Sequence, residues 1–265
     1  VYQSAQIITI SLCYFRSMNP IKHVPNFITT LNLACGCLAI VSIVNENALT
    51  AAFLVVAAAI FDFFDGFAAR LLKVSSPIGA ELDSLADMVT FGLVPGLMLL
   101  YYLANSIGVE ISGIDTFKTN PILLIPLLIP VFSALRLAKF NVDPRQSDSF
   151  RGVPTPASAL WVISIPLIIE YASFGSLWNP ETVIVDKWFL IGSSIGLSAL
   201  MVSDIPLLAM KFKSFGLKGN KLRYGFLIIS AILLIILRPV AIPIVLSLYV
   251  IISIVNNLVN KPNEV

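Results

Sequence analysis

Between Asp62 and Asp87 the chain reads DFFDGFAARLLKVSSPIGAELDSLAD, with AAFLVVAAAIF upstream and MVTFGLVPGLMLLYYLA downstream. Four aspartates thus sit in or beside apolar helices, where an ionisable group is costly and is retained for function. At 100° per residue, Asp62, Asp65, Gly66, Ala69 and Arg70 fall within about 140° of one helix face. That face carries two carboxylates, two small residues that let a ligand approach the backbone, and one guanidinium. The segment from Lys73 to Pro77 interrupts the helix. From near Gly79 a second helix presents Gly79, Asp83 and Asp87 at i, i+4 steps. Two faces with two carboxylates each can converge.

Four carboxylates in a low-dielectric site cannot all stay charged without compensation, because desolvation and like charge both oppose ionisation. Divalent cations supply it. With neither His nor Cys nearby, the ligand set selects hard ions, Mg²⁺ or Mn²⁺, and two such ions can clamp a phosphoryl group during in-line displacement. Arg70 is placed for phosphate oxygens. Two other readings stand beside this one. The aspartates could merely pair with Arg70 and Lys73, or they could line the ion path of a cation transporter, which would move metal without releasing a nucleotide.

The spacing D-x-x-D-G-x-x-A-R-x8-G-x-x-x-D-x-x-x-D resembles the signature of the CDP-alcohol phosphotransferases, membrane enzymes of phospholipid synthesis. Asp62, Asp65, Gly66, Ala69, Arg70, Gly79, Asp83 and Asp87 match every defining position. The resemblance implies that Asp62, Asp65, Asp83 and Asp87 hold metal and that Asp87 is the candidate general base. It also implies a cytidine nucleotide site shaped by Gly66, Ala69, Arg70 and Gly79 with Asn26 and Thr29, the P-N-x-x-T segment of the first helix. Asn26, Thr29 and Asn32 follow one another at i, i+3 and i+6 and face either neighbouring helices or a polar ligand.

The elements that must position these groups are membrane helices. Of the 265 residues, 57% are hydrophobic and 12% charged, and mean hydropathy is +0.91, far outside the soluble range. The expected fold class is all-α, a polytopic membrane helical bundle of about eight transmembrane helices. The apolar runs fall near 25–44, 48–72, 77–103, 119–140, 153–172, 187–210, 225–237 and 240–258. The last two are each shorter than the ~20 residues a bilayer needs, and Arg238-Pro239 leaves open whether they are two tilted helices or one kinked helix. Residues 1–17 read as a leader or tail ahead of Met18, and 18–265 as a single domain. A net charge of +2 says little about partners, and the distribution of the basic residues matters more; the expected partner is the lipid bilayer, with no nucleic acid.

A second polar group lies at the end of the fourth run: Ser133, Arg136 and Lys139, then Arg145, then Arg151 and Thr155 in FRGVPTPA, a loop stiffened by two prolines. LRLAKFN followed by FRGVPTPA resembles the serine-accepting bacterial and archaeal branch of the family. What this implies is the substrate pair, CDP-diacylglycerol and L-serine, with phosphatidylserine and CMP as products. Serine needs a cation for its carboxylate, for which Arg136 and Lys139 are the first candidates and Arg151 the reserve. Glycerol phosphate or inositol phosphate, the other acceptors open to the family, would need a pocket for a dianion.

Several remaining features receive plainer readings. His23, the only histidine, reads as interfacial surface, and Cys13, Cys35 and Cys37 have no metal-ligand spacing. Gly92-x-x-Pro95-Gly96 reads as close helix packing, with a homodimer contact as the alternative. Lys211, Lys213, Lys218, Lys221 and Arg223 form a basic loop that anchors topology and attracts anionic lipid. Asp204 has no partner in the sequence beyond that loop.

With eight spans and an N-terminus in the cytoplasm, only Lys118, Lys187 and Arg238 of the seventeen basic residues fall on the far side. This is the asymmetry that the positive-inside rule demands. It places the protein in the cell inner membrane with its active site facing the cytoplasm. Single cysteines at Val74 and Lys213 are therefore expected to be labelled by impermeant reagent from the cytoplasmic side, and one at Gly113 from the other; an inverted pattern breaks this topology.

Overall fold

The computed structural model describes residues 23–74, 76–142, 151–171, 181–207 and 220–259. The leader through Met18, Arg145 and the lysines from 211 to 218 lie outside the described residues. All named elements are helical. They are α1 (Val24–Val44), α2 (Ala48–Leu72), α3 (Pro77–Asp87), a π-helical turn (Met88–Leu93) and α4 (Val94–Ser106). There follow α5 (Ile114–Thr119), a 3-10 segment (Pro121–Leu127), α6 (Leu128–Val142), α7 (Thr155–Tyr171), α8 (Glu181–Ile184), α9 (Lys187–Val202), α10 (Lys221–Leu237) and α11 (Ala241–Val259).

Local chemistry sets the boundaries near the aspartates. Lys73 closes α2 in the left-handed region at φ 52°. Ser76 then caps α3, its side chain accepting from the Gly79 backbone N–H at 2.9 Å, and Pro77 opens the first turn. The second acidic helix thus starts at Pro77, two residues before the sequence suggests, because the serine cap and the proline act together.

The apolar pattern is that of a bilayer protein. Among the described residues, five helical stretches are long and apolar enough to cross a membrane: Val24–Val44, Ala48–Leu72, Pro77–Ser106, Pro121–Val142 and Leu222–Leu258. Thr155–Tyr171 and Lys187–Val202 are shorter apolar helices. Large side chains such as Phe27, Val44, Phe63 and Ile235 face outward. Pro77–Ser106 is the central helix, with 61% of its apolar window buried.

The expected count of eight spans thus resolves into five long stretches and two short helices. Within the last long stretch the chain doubles back, for Phe226 of α10 and Tyr249 of α11 bring their rings to 5.7 Å. A continuous helix would hold residues so far apart in sequence more than 30 Å from each other at 1.5 Å per residue. The reversal occurs at Arg238, where φ is 52° and ψ −132°, followed by Pro239.

Close approach between helices rests on small residues, which allow backbones to meet where apolar lipid gives no hydrophobic drive to association. α2 buries Ala51, Ala52, Val55 and Ala58, and α1 buries Gly36 and Ala39. The Gly92 and Gly96 face packs within the chain, against Ser133 and Pro130 of α6, so the dimer alternative for that face is not needed. Gly36 marks the tightest contact of α1 with the π-helical turn. A Cβ there would lie 2.5 Å from Thr90 Oγ1 and 3.2 Å from Thr90 Cα.

Gly36→Ala is therefore expected to push α1 off the π-helical turn, at a cost of about 1–3 kcal/mol in stability from overpacking. The measurement is thermal unfolding in detergent. Gly192→Ala, at a position with nothing within 4 Å, is the control and should leave the midpoint unchanged; equal midpoints for the two variants would contradict the packing.

Candidate active site

Three polar positions of α1, spaced three residues apart, each meet a different part of the acidic pair α2 and α3. Asn26 stands against Gly79, where a Cβ would come within 2.8 Å of Asn26 Oδ1. Thr29 donates from Oγ1 to Asp65 Oδ2 at 2.7 Å, with Pro25 O at 3.0 Å. Asn32 donates from Nδ2 to Asp87 Oδ1 at 3.4 Å. The i, i+3, i+6 spacing seen in the sequence is thus a stripe that lies along the acidic site. Asn32 is fully buried and touches the candidate base, a role that its place in that stripe hinted at but did not assign.

The carboxylates converge as the two helical faces allow. Ligand oxygens of Asp62, Asp83 and Asp87 lie within 4.8 Å of one another, a group able to hold one divalent cation. Asp83 Oδ1 is buried without a hydrogen-bond partner, and such an atom in a polar cluster fits a cation ligand. The donor set is all carboxylate, so a hard cation suits it. Asp65 stands beside the three, close enough to act on Asp62 and Asp83 electrostatically, with one oxygen taken by Thr29.

Next to the carboxylates is a cavity of about 700 Å³ between α1, α2 and α3. Asn26, Thr29, Gly66, Ala69 and Gly79, five of the residues expected to shape a nucleotide site, line it together with Asp65 and Asp83. His23, Lys73 and Ser76 also contribute to its wall. Arg70 is not part of the lining. It is exposed, with its guanidinium 3.7 Å from where a Cβ on Gly66 would sit, so the glycine leaves room at the cavity for an adjacent phosphate-binding cation. A second cavity, about 640 Å³, opens at the far end of the bundle by Asn45, Glu46, Tyr101 and Glu181, and holds none of the expected site residues.

On the other flank of Asp87 the basic residues separate. Arg136 of α6 is only 7% exposed, lies over the Phe140 ring at 5.4 Å, is within electrostatic range of Asp87, and keeps a buried Nε with no hydrogen-bond partner. Lys139 is more open and is held by Asp204, Nζ to Oδ1 2.8 Å. This gives Asp204 a partner on α6 that the sequence does not reveal. Arg151 belongs to a stretch of backbone that pairs with the end of α9. It bridges to Pro206, Gly152 N–H donates to Ile205 O at 3.0 Å, and Val153 N–H donates to Leu200 O at 3.0 Å. Gly152 adopts φ +72° with carbonyls of α9 packed against it, which leaves no room for a side chain. Asn141 Nδ2 donates to Ser84 Oγ at 2.9 Å and ties α6 to the acidic helix.

Apolar helices that bring carboxylates together beside a cavity suit metal-assisted chemistry at a membrane, and equally an ion path. Comparison with known proteins specifies the class: residues 22–195 match the family model for CDP-alcohol phosphatidyltransferase, and the chain belongs to that family. Its relatives include a CDP-diacylglycerol–serine O-phosphatidyltransferase of Helicobacter pylori strain J99, 32% identical over 90% of this chain and 92% of that protein. The protein of the same name from Bacillus subtilis strain 168 is 34% identical over 69% of this chain and 89% of its own length. Its namesake from Methanocaldococcus jannaschii is 30% identical over 71% and 75%.

Replacing Asp62, Asp83 or Asp87 singly by Asn is expected to lower kcat/KM at least about a hundredfold, since each removes a formal charge from the cation site. Chelation should abolish turnover, with Mg²⁺ or Mn²⁺ restoring it and Zn²⁺ doing so poorly. Near-normal rates in two of the variants, or full activity in metal-free buffer, would remove the metal site from consideration.

Proposed function

We propose that this chain transfers the phosphatidyl group of CDP-diacylglycerol to L-serine, giving phosphatidylserine and CMP. The observation that carries the reading is the convergence of Asp62, Asp83 and Asp87 beside the cavity walled by Asn26, Thr29, Gly66, Ala69 and Gly79. The names of the relatives supply the acceptor, serine.

In this reading the cytidine nucleotide lies in the cavity, with Arg70 at its phosphates and Gly66 and Gly79 leaving room for it. Asp62, Asp65 and Asp83 would hold Mg²⁺ or Mn²⁺, two ions in all, with Asp87 sharing that task. When bound, such ions neutralise phosphoryl oxygens and act as Lewis acids on the transferring group. Asp87 takes the proton of the serine hydroxyl as its oxygen bonds to the phosphorus that carries diacylglycerol. The bond from that phosphorus to the oxygen bridging it to cytidine monophosphate breaks, and CMP leaves.

Burial selects among the cations. A desolvated guanidinium with an unused N–H binds a carboxylate more strongly than an exposed ammonium already paired. Arg136 is therefore the contact for the serine carboxylate, while Lys139 through Asp204 and Arg151 through its backbone hold the adjoining chain in place. The finer features follow the same reading: residues 18–265 as one domain, eight spans with the α10–α11 hairpin counted as two, and the site on the cytoplasmic face of the cell inner membrane.

The test is purified protein in detergent with labelled CDP-diacylglycerol, Mn²⁺ and a panel of serine, glycerol phosphate and inositol phosphate. Serine should give CMP and phosphatidylserine; a better rate with glycerol phosphate would refute the acceptor and leave the family untouched. Arg136→Gln should raise the serine KM about tenfold or more with the CDP-diacylglycerol KM little changed, because a ground-state contact is lost. An unchanged serine KM would put the carboxylate elsewhere.

A further inference from the structure

Asp87 is flanked by two buried side chains whose polar atoms the fold leaves unused. From α1, Asn32 reaches it through Nδ2, and the remaining amide oxygen, Oδ1, is buried with no hydrogen-bond partner. From α6, Arg136 comes within its electrostatic range with Nε unpartnered. An ionised carboxylate only accepts, so it holds the Asn32 amide with nitrogen toward it and oxygen away. The Asn32 backbone is fixed as well, its carbonyl accepting from Thr90 Oγ1 at 3.3 Å. A buried amide oxygen left unmade is an expensive feature of an apolar interior and calls for an explanation.

The three groups form an asymmetric set: a neutral acceptor from α1, a carboxylate from α3 and a guanidinium from α6. A small zwitterion with a hydroxyl complements all three. Its carboxylate meets Arg136, its hydroxyl meets Asp87, and its ammonium meets Asn32 Oδ1, the buried acceptor that stays unpartnered when a cation takes up the carboxylates. An alcohol bearing a phosphate has no ammonium and would leave that oxygen orphaned, which disfavours it.

We propose that Asn32 is the residue that selects an amino-acid acceptor, its side-chain oxygen receiving the ammonium while its nitrogen stays on Asp87. This rests on the reading of serine as the acceptor. Asn32 then holds both the substrate amine and the base in one planar group, which fixes the hydroxyl between them.

The test reads CMP release against serine concentration, with the full chain in detergent, Mn²⁺ and saturating CDP-diacylglycerol, for the wild type, Asn32→Leu and Asn32→Asp. Leucine keeps the shape without an acceptor; aspartate keeps an oxygen at that place and gives up the donor. Asn32→Leu is expected to raise the serine KM about tenfold or more, the loss of a hydrogen bond to a charged group. The CDP-diacylglycerol KM should stay within about twofold, as for a contact confined to the acceptor. Asn32→Asp should keep a serine KM near that of the wild type. The inhibition constant of 3-hydroxypropionate, which is serine without its ammonium, should be the same for the wild type and Asn32→Leu. An unchanged serine KM in Asn32→Leu overturns the proposal, as does a parallel loss of 3-hydroxypropionate affinity. A fall in kcat common to both variants with serine KM intact also overturns it, by making Asn32 a positioning residue for Asp87 through nitrogen alone. If Asn32→Leu fails to bind CDP-diacylglycerol and so has not folded, Asn32→Asp decides, and a raised serine KM there is fatal. A wild type that turns over no serine but another acceptor brings down the acceptor reading itself, and is recognised by that result alone.

Discussion

Carboxylates crowded together away from water repel one another and lose hydration, and the cost falls only when each oxygen has something positive or a donor to meet. The helices around Asp62, Asp65, Asp83 and Asp87 are arranged to meet that requirement in part. Thr29 serves Asp65 and Asn32 serves Asp87, both from α1, while Asp83 keeps a buried oxygen without a partner. What the fold leaves undone fits a ligand of one kind: a hard divalent cation at Asp62, Asp83 and Asp87 would complete the set. The alanine face of α2 and the glycine of α1 follow from the same need, because only small side chains let short polar groups on one helix reach acids on another.

The basic residues near the site are kept from neutralising its acids. Arg136 is buried near Asp87, over an aromatic ring, with donor capacity to spare. Lys139, one turn further along α6, is spent on Asp204. Neighbours at i, i+3 on one helix thus differ in what they meet: the exposed one is tied to Asp204, and the buried one keeps an unpartnered Nε.

Much of this was legible before any coordinates. The spacing of the four aspartates predicts two helical faces that converge, since a 3.6-residue period fixes directions over so short a stretch. The apolar runs likewise mark the helices, because a bilayer imposes length and composition directly. Other features were out of reach. Asp204 and Lys139 are 65 residues apart in sequence, and no local periodicity joins them. Whether Arg238-Pro239 bends a helix or reverses it depends on the sign of φ at Arg238, which an arginine does not announce. Asn32 stood in a visible polar stripe, but its bond to Asp87 depends on how closely α1 approaches α3, a matter of packing between Gly36 and Thr90.

The π-helical turn from Met88 to Leu93 follows immediately on Asp87. A wider turn of this kind accommodates one more residue than the α-helical path, and so offsets the angular phase of everything after it from everything before. The helix Pro77–Ser106 is thereby divided into two halves that keep separate clocks. The first points Gly79, Asp83 and Asp87 at the acidic cluster and its cavity; the second points Met98, Leu99 and Leu103 into the core. Substitutions that repack the second half can therefore drift without turning the acids, whereas removal of a single residue from the turn would bring the two halves into step and rotate one of them off its target.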